Sequence, residues 1–315
     1  MSLNKEQVFS TPKEILRPNE IPSVMVVGNS LPEVWENEFL AVEEFGCRAP
    51  TQYDSEEDPH AKMVSMAIVV GNPFAEPRIH KFLPEGIDGL WLYTAEVVAG
   101  LHSDRVEGWN YSYFDRMANW PGKTEKEAVH FDQIDKMVEN LANVFYTRRA
   151  QMITWYPPSD SSSPEPPCFQ RAWGQIVSSD DDKLFLEFNT HWRSRDVFKA
   201  AFMNMFAFTW LQKMMAEMIS EKAGVEVGVG RYAEFVDNMH IYGSYERRKE
   251  VEGFIKSLEK KDFSQRVYRT NDQIVKDLYF EARERMLKES ETAQSPEMLK
   301  RFIDLVDKFY KDKSS

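Results

Sequence analysis

Two residues in the second half of the chain could bind an anion. Arg193 supplies a guanidinium fork and Ser194 a hydroxyl, a combination that commonly holds a phosphate group. They lie at the start of a stretch, residues 192–222, that is apolar on nearly every face. This stretch is predicted to form a helix from Val197 to Gly224 in the interior of a domain, because no side of it would tolerate water.

Asn204 is the one strongly polar side chain between Lys199 and Gln212. A buried amide without hydrogen-bond partners costs about 1–3 kcal/mol, so its donors and its acceptor must be satisfied. A neighbouring backbone group is the commoner partner. A ligand edge with one acceptor and one donor, such as the amide edge of a pyrimidine, is the other. The Arg–Ser pair nearby in the sequence favours the ligand.

Cys168 is a candidate nucleophile. It follows residues 161–167, a mixture of Ser and Pro that predicts a surface loop turning back into the fold. A cysteine is more often a small buried apolar residue, but a nearby arginine such as Arg193 would favour the thiolate. Cys168 and Cys47 lie in no metal-binding spacing, so no metal site is expected.

Two other pairs could contact a ligand. His240 and Tyr242 are two residues apart at the end of a predicted strand, residues 232–242, so their side chains face the same way. Arg148 and Arg149 precede a predicted strand at residues 151–155 and would point to opposite sides of it. By composition alone, a solvated basic pair is the default interpretation of these two arginines.

Together these motifs resemble thymidylate synthase in both order and approximate spacing, over roughly residues 88–246. The residues that carry the resemblance are Arg148-Arg149, Cys168 within Pro166-Pro167-Cys168, Arg193-Ser194-x-Asp196, Asn204 and His240-Ile241-Tyr242. The resemblance implies that Cys168 attacks C6 of the pyrimidine. It also implies a set of nucleotide-binding residues: Arg148, Arg149, Arg193, Ser194, Asn204, His240 and Tyr242. The two adjacent arginines would reach the phosphate of the neighbouring subunit's nucleotide in a homodimer.

Three more positions acquire roles from the resemblance. Glu96, on a predicted helix at residues 89–100, corresponds to the carboxylate that works with water on the pyrimidine; a glutamate on the wet side of a helix is the alternative. Tyr113, with Tyr111 second, corresponds to the active-site tyrosine. Asp196 corresponds to the aspartate that binds the folate pterin ring, and it could also serve as an N-terminal helix carboxylate.

The chain departs from the usual family pattern at several positions. Phe169 follows the cysteine where histidine is usual, and Ala200 stands where glycine is usual. Either Gln170 or Gln175 could be the family's glutamine. The last residues also differ from the usual apolar tail. These differences indicate a divergent branch, closer to archaeal and phage members.

The resemblance implies an α/β (α+β) fold with a mostly antiparallel sheet, a long buried helix and a homodimer across the sheet. Strands are predicted at 24–27, 63–70 and 184–192, and a helix at 131–141. The charged helices at 271–288 and 295–311 carry one apolar stripe each and are predicted to pack on the surface. The expected organisation is an N-terminal extension with the first strand (1–60), a catalytic core (61–246) and charged C-terminal helices (247–315).

Composition limits the partners and the compartment. A net charge of −12 and a pI near 5.1 argue against general affinity for nucleic acid, so no DNA partner is expected. No apolar run has transmembrane length, and the first 16 residues lack the apolar centre of a signal peptide. We therefore expect a cytoplasmic enzyme without a membrane partner.

The predicted reaction is C5 methylation of dUMP with 5,10-methylenetetrahydrofolate, through a covalent bond between Cys168 and C6. One alternative is a pyrimidine nucleotide 5-hydroxymethylase acting on dUMP, dCMP or CMP. Cytosine-specific relatives typically have Asp where this chain has Asn204, so Asn204 favours uracil. The other alternative is a catalytically silent member that binds nucleotide.

Overall fold

The computed structural model describes residues 6–17, 19–103 and 111–312. The chain divides into two compact units. The first contains Met1–Pro84, Trp192–Phe202 and Ala233–Arg269, and the second contains Glu85–His191, Met203–Tyr232 and Thr270–Ser315. The buried helix predicted from the sequence and the last long strand each begin in one unit and end in the other.

The described strands are β1 (Val8–Ser10), β2 (Ser23–Gly28), β3 (Cys47–Ala49), β4 (Ala61–Val70), β5 (Ile79–His80), β6 (Gln151–Ile153), β7 (Phe169–Ser178), β8 (Leu184–Trp192), β9 (Arg195–Asp196), β10 (Val227–Ile241) and β11 (Val267–Tyr268). The described helices are α1 (Leu31–Phe45), α2 (Gly86–Ala99), α3 (Tyr113–Ala118), α4 (Gln133–Asn143), α5 (Pro157–Asp160), α6 (Ala201–Ala223), α7 (Gly243–Arg247), α8 (Glu250–Lys260), α9 (Phe263–Arg266), α10 (Gln273–Lys288) and α11 (Pro296–Asp312). Short 3-10 helices occupy Lys13–Ile15 and Ser290–Thr292.

In the first unit the strand order is β1-β2-β4-β10, with β3 beside β4 and β9 beside β10. The β1–β2 and β3–β4 pairs are antiparallel, whereas β2–β4 and β9–β10 are parallel. The predicted strands at 24–27 and 63–70 are confirmed as β2 and β4. Alternate residues of β2 are buried, because β2 packs one face against α1.

Helix α1 was not predicted from the sequence. A capping box between Ser30 and Glu33 marks its start, and Pro32 lies in its first turn. Trp35 and Phe39 lie one turn apart on its buried face and pack against the ring of Phe254, with centroid distances of 5.1 and 4.7 Å. The aromatic contacts fix α1 within the core of the first unit.

The second unit contains the order β10-β8-β7-β6, with β6 and β7 antiparallel. The strand β8 has the bounds that the sequence predicted, and β10 begins earlier than the predicted 232. Helix α6 ends as predicted before Gly224, whose φ of 70° lies in the left-handed region. Its predicted start at Val197 was wrong. The backbone N–H groups of Phe198 and Lys199 donate to Asp196 Oδ1, which holds residues 197–200 in a turn before the helix begins.

The C-terminal helices α10 and α11 both pack against α2. Each helix buries its single apolar stripe against the interior and keeps its charged residues partly or fully exposed, as the predicted surface packing requires. Phe302 is fully buried, and its ring centroid lies 6.3 Å from that of Trp91 and 5.9 Å from that of Trp210. Tyr279 packs on Trp91 at 4.9 Å. Helix α2 is therefore held from two sides, which fixes the side chains that it carries. Within the described residues, no helix is long and apolar enough to cross a membrane.

Candidate active site

Cys168 lies in the second unit, directly before β7, and is partly exposed. The loop that leads to it contains α5 and is anchored by a buried ion pair, in which Arg116 donates to Asp160 at 2.7 Å. The backbone N–H of Tyr156 donates to the other oxygen of Asp160 at 2.6 Å. The hydroxyl of Thr154 donates to the carbonyl oxygen of Phe169, the residue after the cysteine. The thiol is thus carried by a loop that is fixed at both ends.

Tyr113 lies beside Cys168. Its helix α3 begins at this residue, because Ser112 accepts a hydrogen bond from the backbone N–H of Asp115. Burial raises the pKa of the Tyr113 phenol well above its ordinary value, and the proximity of Tyr111, Cys168 and Tyr93 raises the pKa further. The ring centroid of Tyr111 lies 5.8 Å from that of Tyr113 and also 5.8 Å from the guanidinium carbon of Arg116.

Asn204 is buried, and its amide nitrogen donates to the hydroxyl of Tyr93 on α2. Tyr93 in turn is one of the groups that raise the pKa of Tyr113. The structure therefore brings together Cys168, Tyr113, Tyr93 and Asn204 in one cluster of the second unit. Tyr93 was not predicted as a site residue. Its position could have been predicted from spacing, because Tyr93 is three residues before Glu96 and so lies on the same face of the helix.

Glu96 lies near the end of α2 and keeps 40% of its side chain exposed. Burial raises its pKa, whereas the hydrogen bond and the charge of His102 lower it. His102 Nδ1 lies 2.9 Å from Glu96 Oε1, and His102 Nε2 lies 2.5 Å from Glu289 Oε2. Glu96 is therefore a partly exposed carboxylate paired with an imidazole, and neither His102 nor Glu289 was predicted as a site residue.

The first unit contains a second group of predicted residues around His240. Burial lowers the pKa of His240, Asp196 raises it and Arg193 lowers it, so these three side chains lie close together. The ring of Tyr242 packs edge-on against that of His240 at 4.5 Å. His240 Nδ1 lies 3.1 Å from Asn238 Oδ1, and its buried Nε2 has no hydrogen-bond partner among the described residues. An unpaired buried ring nitrogen is available to a ligand.

Arg193 and Ser194 are half-buried and occupy the link from β8 to β9. The next residue, Arg195, turns inward, where it forms a buried ion pair with Glu234 and donates to the carbonyl oxygen of Ala201 at 2.9 Å. Its guanidinium lies over the Trp192 ring at 4.3 Å. These contacts of Arg195 fix the backbone on which the predicted phosphate-binding pair is carried.

Asp196 uses both of its carboxylate oxygens. Oδ1 accepts the two backbone N–H groups of the turn before α6, and Oδ2 accepts from the hydroxyl of Tyr245 at 2.6 Å. Asp196 thus caps the turn of residues 197–200, so the carboxylate predicted at the helix N-terminus lies one turn before α6 begins. A carboxylate has about four acceptor sites, and these three hydrogen bonds leave one of them for a further donor.

Arg148 and Arg149 precede β6 in the second unit, and both are exposed. The indole N–H of Trp173 donates to the carbonyl oxygen of Arg148 at 3.1 Å. Gln175 donates to the carbonyl oxygen of Tyr146 at 3.1 Å. Along β7 buried residues alternate with Trp173 and Gln175, so these two side chains lie on the outer face of the strand. The arginine segment, which both side chains contact, therefore lies beside that outer face. Gln175 thus holds the segment before the arginines through its hydrogen bond to Tyr146.

Gln170 lies nearer the thiol than its sequence alternative. Its side-chain N–H donates to the carbonyl oxygen of Pro167 at 2.6 Å, immediately before Cys168. The two candidate glutamines therefore have different surroundings. Gln170 contacts the cysteine loop, and Gln175 contacts the segment that carries the two arginines.

The acidic loop near residue 54 also contacts predicted site residues. The ring of Tyr53 lies edge-on to Tyr242 at 6.0 Å, and Asp54 raises the pKa of His240. The carboxylate of Asp54 accepts from the backbone N–H and the hydroxyl of Thr51, both at 2.7 Å. Residues 54–59 have the acidic composition of a solvated loop, which gives no signal for these long-range contacts. Across the described ranges, no group of three or more His, Cys, Asp or Glu side chains is arranged to hold a metal ion.

Comparisons with known proteins identify relatives of this chain. A family model described as thymidylate synthase matches residues 91–295. A protein of Methanosarcina mazei named "Putative thymidylate synthase" is 30% identical over 168 residues, which are 53% of this chain and 68% of that protein. One of the same name from Methanothermobacter thermautotrophicus is 33% identical over 152 residues, 46% of this chain and 58% of its own.

A solved structure shows the same fold. The thermostable thymidylate synthase A from Bacillus subtilis matches with a TM-score of 0.50 and 18% identity, over 75% of this chain and 86% of that one. This likeness confirms the predicted fold class. With the family model matching residues 91–295, the chain belongs to the thymidylate synthase family.

Proposed function

We propose that this chain is a folate-dependent one-carbon transferase that methylates dUMP at C5. The observation that carries the proposal is the cluster of Cys168, Tyr113, Tyr93 and Asn204 in the second unit. A thiol, a phenol with a raised pKa and a buried amide meet there, which are the groups that covalent activation and recognition of a pyrimidine require.

In the proposed reaction the sulfur of Cys168 forms a bond to C6 of the base, which makes C5 nucleophilic. C5 then takes up a one-carbon unit and loses its hydrogen as a proton. The bond between sulfur and C6 breaks at the end, so the thiol is recovered. Glu96 works with water on the base and exchanges protons with it, which its raised pKa favours near neutral pH.

We propose that different side chains bind the phosphate, the sugar and the base of the nucleotide. Arg193 and Ser194 bind the phosphate through charge-assisted hydrogen bonds. His240 and Tyr242 contact the sugar, for which the unpaired Nε2 of His240 offers an acceptor or a donor according to its protonation. Asn204 reads the base, donating to O4 and accepting from N3–H of uracil.

The proposed assembly is a homodimer that forms on the outer face of the sheet. Arg148 and Arg149 are exposed beside that face and reach the phosphate bound by the other subunit. Two apolar side chains of the same face support an interface, because Ile153 is 37% and Val177 is 40% exposed.

The folate is proposed to bind through Asp196, which has an acceptor site left after its contacts with the backbone and Tyr245. When bound, 5,10-methylenetetrahydrofolate supplies the one-carbon unit and, for methylation, the hydride that reduces it to a methyl group. Asp196 is held rigidly enough to orient that partner, since both of its oxygens are already hydrogen-bonded.

A 5-hydroxymethylase is the second candidate, and the exposure of Glu96 favours it. With 40% of this side chain accessible, water can reach the carboxylate that acts at the base. Water would then add to the one-carbon unit on C5, giving a hydroxymethyl group, and the folate would not be oxidised. The site residues needed for both reactions are the same.

Product analysis tests the proposal. The protein is incubated with methylenetetrahydrofolate and dUMP, dCMP or CMP, and the nucleotide products are identified by mass spectrometry while dihydrofolate is measured by absorbance. We expect a methylated product from dUMP and an equal amount of dihydrofolate. A hydroxymethylated product without dihydrofolate supports the second candidate. Nucleotide binding without any product from the three substrates contradicts both and indicates a silent binding protein.

A further inference from the structure

Three titratable side chains in the second unit form a continuous hydrogen-bonded chain. His102 has its Nδ1 2.9 Å from Glu96 and its Nε2 2.5 Å from Glu289. Glu289 is the C-cap residue of α10, and it is 187 positions away from His102 in the sequence. The carboxylate proposed to act on the base is therefore connected through an imidazole to the C-terminal part of the chain.

Backbone hydrogen bonds fix the segment that carries Glu289. The backbone N–H of His102 donates to Thr292 Oγ1 at 3.1 Å. The backbone N–H of Gln294 donates to the carbonyl oxygen of Gly100 at 3.0 Å. Because these bonds bind residues 289–295 to the end of α2, the contact between imidazole and carboxylate does not depend on the chance orientation of two exposed side chains.

The hydrogen-bond inventory of the three groups requires two shared protons. In the first arrangement, an imidazolium ring donates to two carboxylates. In the second, a neutral ring donates from Nε2 to Glu289 and accepts at Nδ1 from protonated Glu96. One proton moving along the bond between Glu96 and Nδ1 interconverts the two without changing the net charge, so Glu96 can become acid or base without exchanging a proton with bulk water.

We infer that His102 and Glu289 form a proton relay that acts through Glu96, an inference that rests on the proposed function. Starting from the second arrangement, a proton that reaches the free oxygen of Glu96 from the base or from water displaces the proton already on Glu96 to Nδ1. Nε2 then passes its proton to Glu289, which releases it to solvent, so one proton enters and one leaves. Glu289 is suited to this exchange because 23% of its side chain is exposed. The reverse sequence delivers a proton to the base.

The other charged groups near the relay come from neighbouring segments. The ammonium group of Lys123 donates to the carbonyl oxygen of Ser103, the residue after His102. Arg285, one turn before Glu289 on α10, is directed to Asp88 at 3.7 Å. Burial and His102 act on the pKa of Glu96 in opposite directions, which brings the two proton arrangements closer in free energy.

Two conservative variants test the relay by pH profile. His102→Gln removes the ring that lowers the pKa of Glu96, so we expect the Glu96 limb of the kcat profile to move to higher pH. We also expect kcat to fall about tenfold or more while the Kd for dUMP stays within about twofold. Glu289→Gln keeps an acceptor for Nε2–H but takes up no proton, and we expect a comparable loss of kcat. Glu291→Gln, an exposed neighbour, is the matched control and should behave as wild type.

A titration without folate or nucleotide gives an independent readout. The Glu96 carboxyl is followed by infrared spectroscopy in wild type and His102→Gln, with Glu96→Gln as the blank, and its pKa should rise in His102→Gln. Wild-type pH profiles and wild-type kcat in both variants would overturn the relay, as would an unshifted Glu96 titration. If the wild type performs no C5 chemistry, the proposed function fails, and the infrared titration still decides whether His102 is coupled to Glu96.

Discussion

At the scale of single residues, the buried amide of Asn204 shows what the sequence could predict. An apolar helix with one amide requires a polar partner, and the structure supplies the hydroxyl of Tyr93. The need for a partner follows from local sequence, because an unpaired buried amide is costly. The identity of that partner depends on how α2 and α6 pack, which no local pattern contains.

Removing the Tyr93 hydroxyl should weaken recognition of the base. In Tyr93→Phe the amide of Asn204 loses its acceptor and can rotate, so it no longer favours the pattern of uracil over that of cytosine. We expect the ratio of kcat/KM for dUMP to that for dCMP to fall about tenfold, in line with the cost of an unpaired buried group. Tyr156→Phe is the control. An unchanged ratio in Tyr93→Phe would remove Tyr93 from base recognition.

Glu38 gives a prediction about stability. It is fully buried on α1, and burial raises its pKa well above the ordinary value, with Glu234 raising it further and Arg195 lowering it. The folded state therefore binds a proton that the unfolded state releases above about pH 4.3. Stability from this group is present below that pH and is lost as the pH rises toward the folded-state pKa.

Glu38→Gln should remove this dependence. Between pH 5 and 8 we expect the variant to gain stability relative to wild type as pH rises, by up to about 1.4 kcal/mol per pH unit while Glu38 stays protonated in the fold. Urea unfolding at several pH values measures the difference. A difference that is independent of pH would show that Glu38 does not hold a raised pKa.

At the scale of elements, regular patterns predicted regular structure. The alternation of Leu184, Leu186 and Phe188 predicted β8 with its bounds. The apolar stretch predicted all of α6 but placed its start one turn too early. Helix α1 has apolar residues at helical spacing, but buried acids such as Glu36 and Glu38 interrupt that pattern. For this reason the helix was not predicted. Those acids are tolerated because partners far away in sequence meet them, as Arg266 meets Glu36 at 2.6 Å.

The loop before Cys168 should depend on the buried pair of Arg116 and Asp160. Arg116→Ala leaves the Asp160 carboxylate buried without its partner, and we expect a loss of about 3–5 kcal/mol in the free energy of unfolding. Lys136→Ala is a suitable control, since its pair with Glu139 is exposed and screened by solvent and should contribute little to stability. Denaturant unfolding compares the two variants. Equal small losses would show that the pair does not anchor the loop.

At the scale of the whole molecule, the homodimer is a prediction. It can be tested because each site is predicted to contain Cys168 of one subunit and Arg149 of the other. Arg149→Ala and Cys168→Ser should each be inactive alone. When subunits exchange, half of the dimers are mixed, and each mixed dimer has one intact site, so about one quarter of wild-type activity should return. No recovery after exchange verified by mass spectrometry would indicate that Arg149 acts within its own chain or not at all.

Release of tritium from C5 of labelled dUMP measures the proposed chemistry most directly, because the label leaves only if C5 has been activated. In the presence of methylenetetrahydrofolate, we expect release by wild type and none by Cys168→Ser, with nucleotide binding retained in the variant. Cys47→Ser, which alters the other cysteine, should release tritium as wild type does. Release that continues at the wild-type rate in Cys168→Ser, or no release by the wild type, would contradict covalent activation of the base by Cys168.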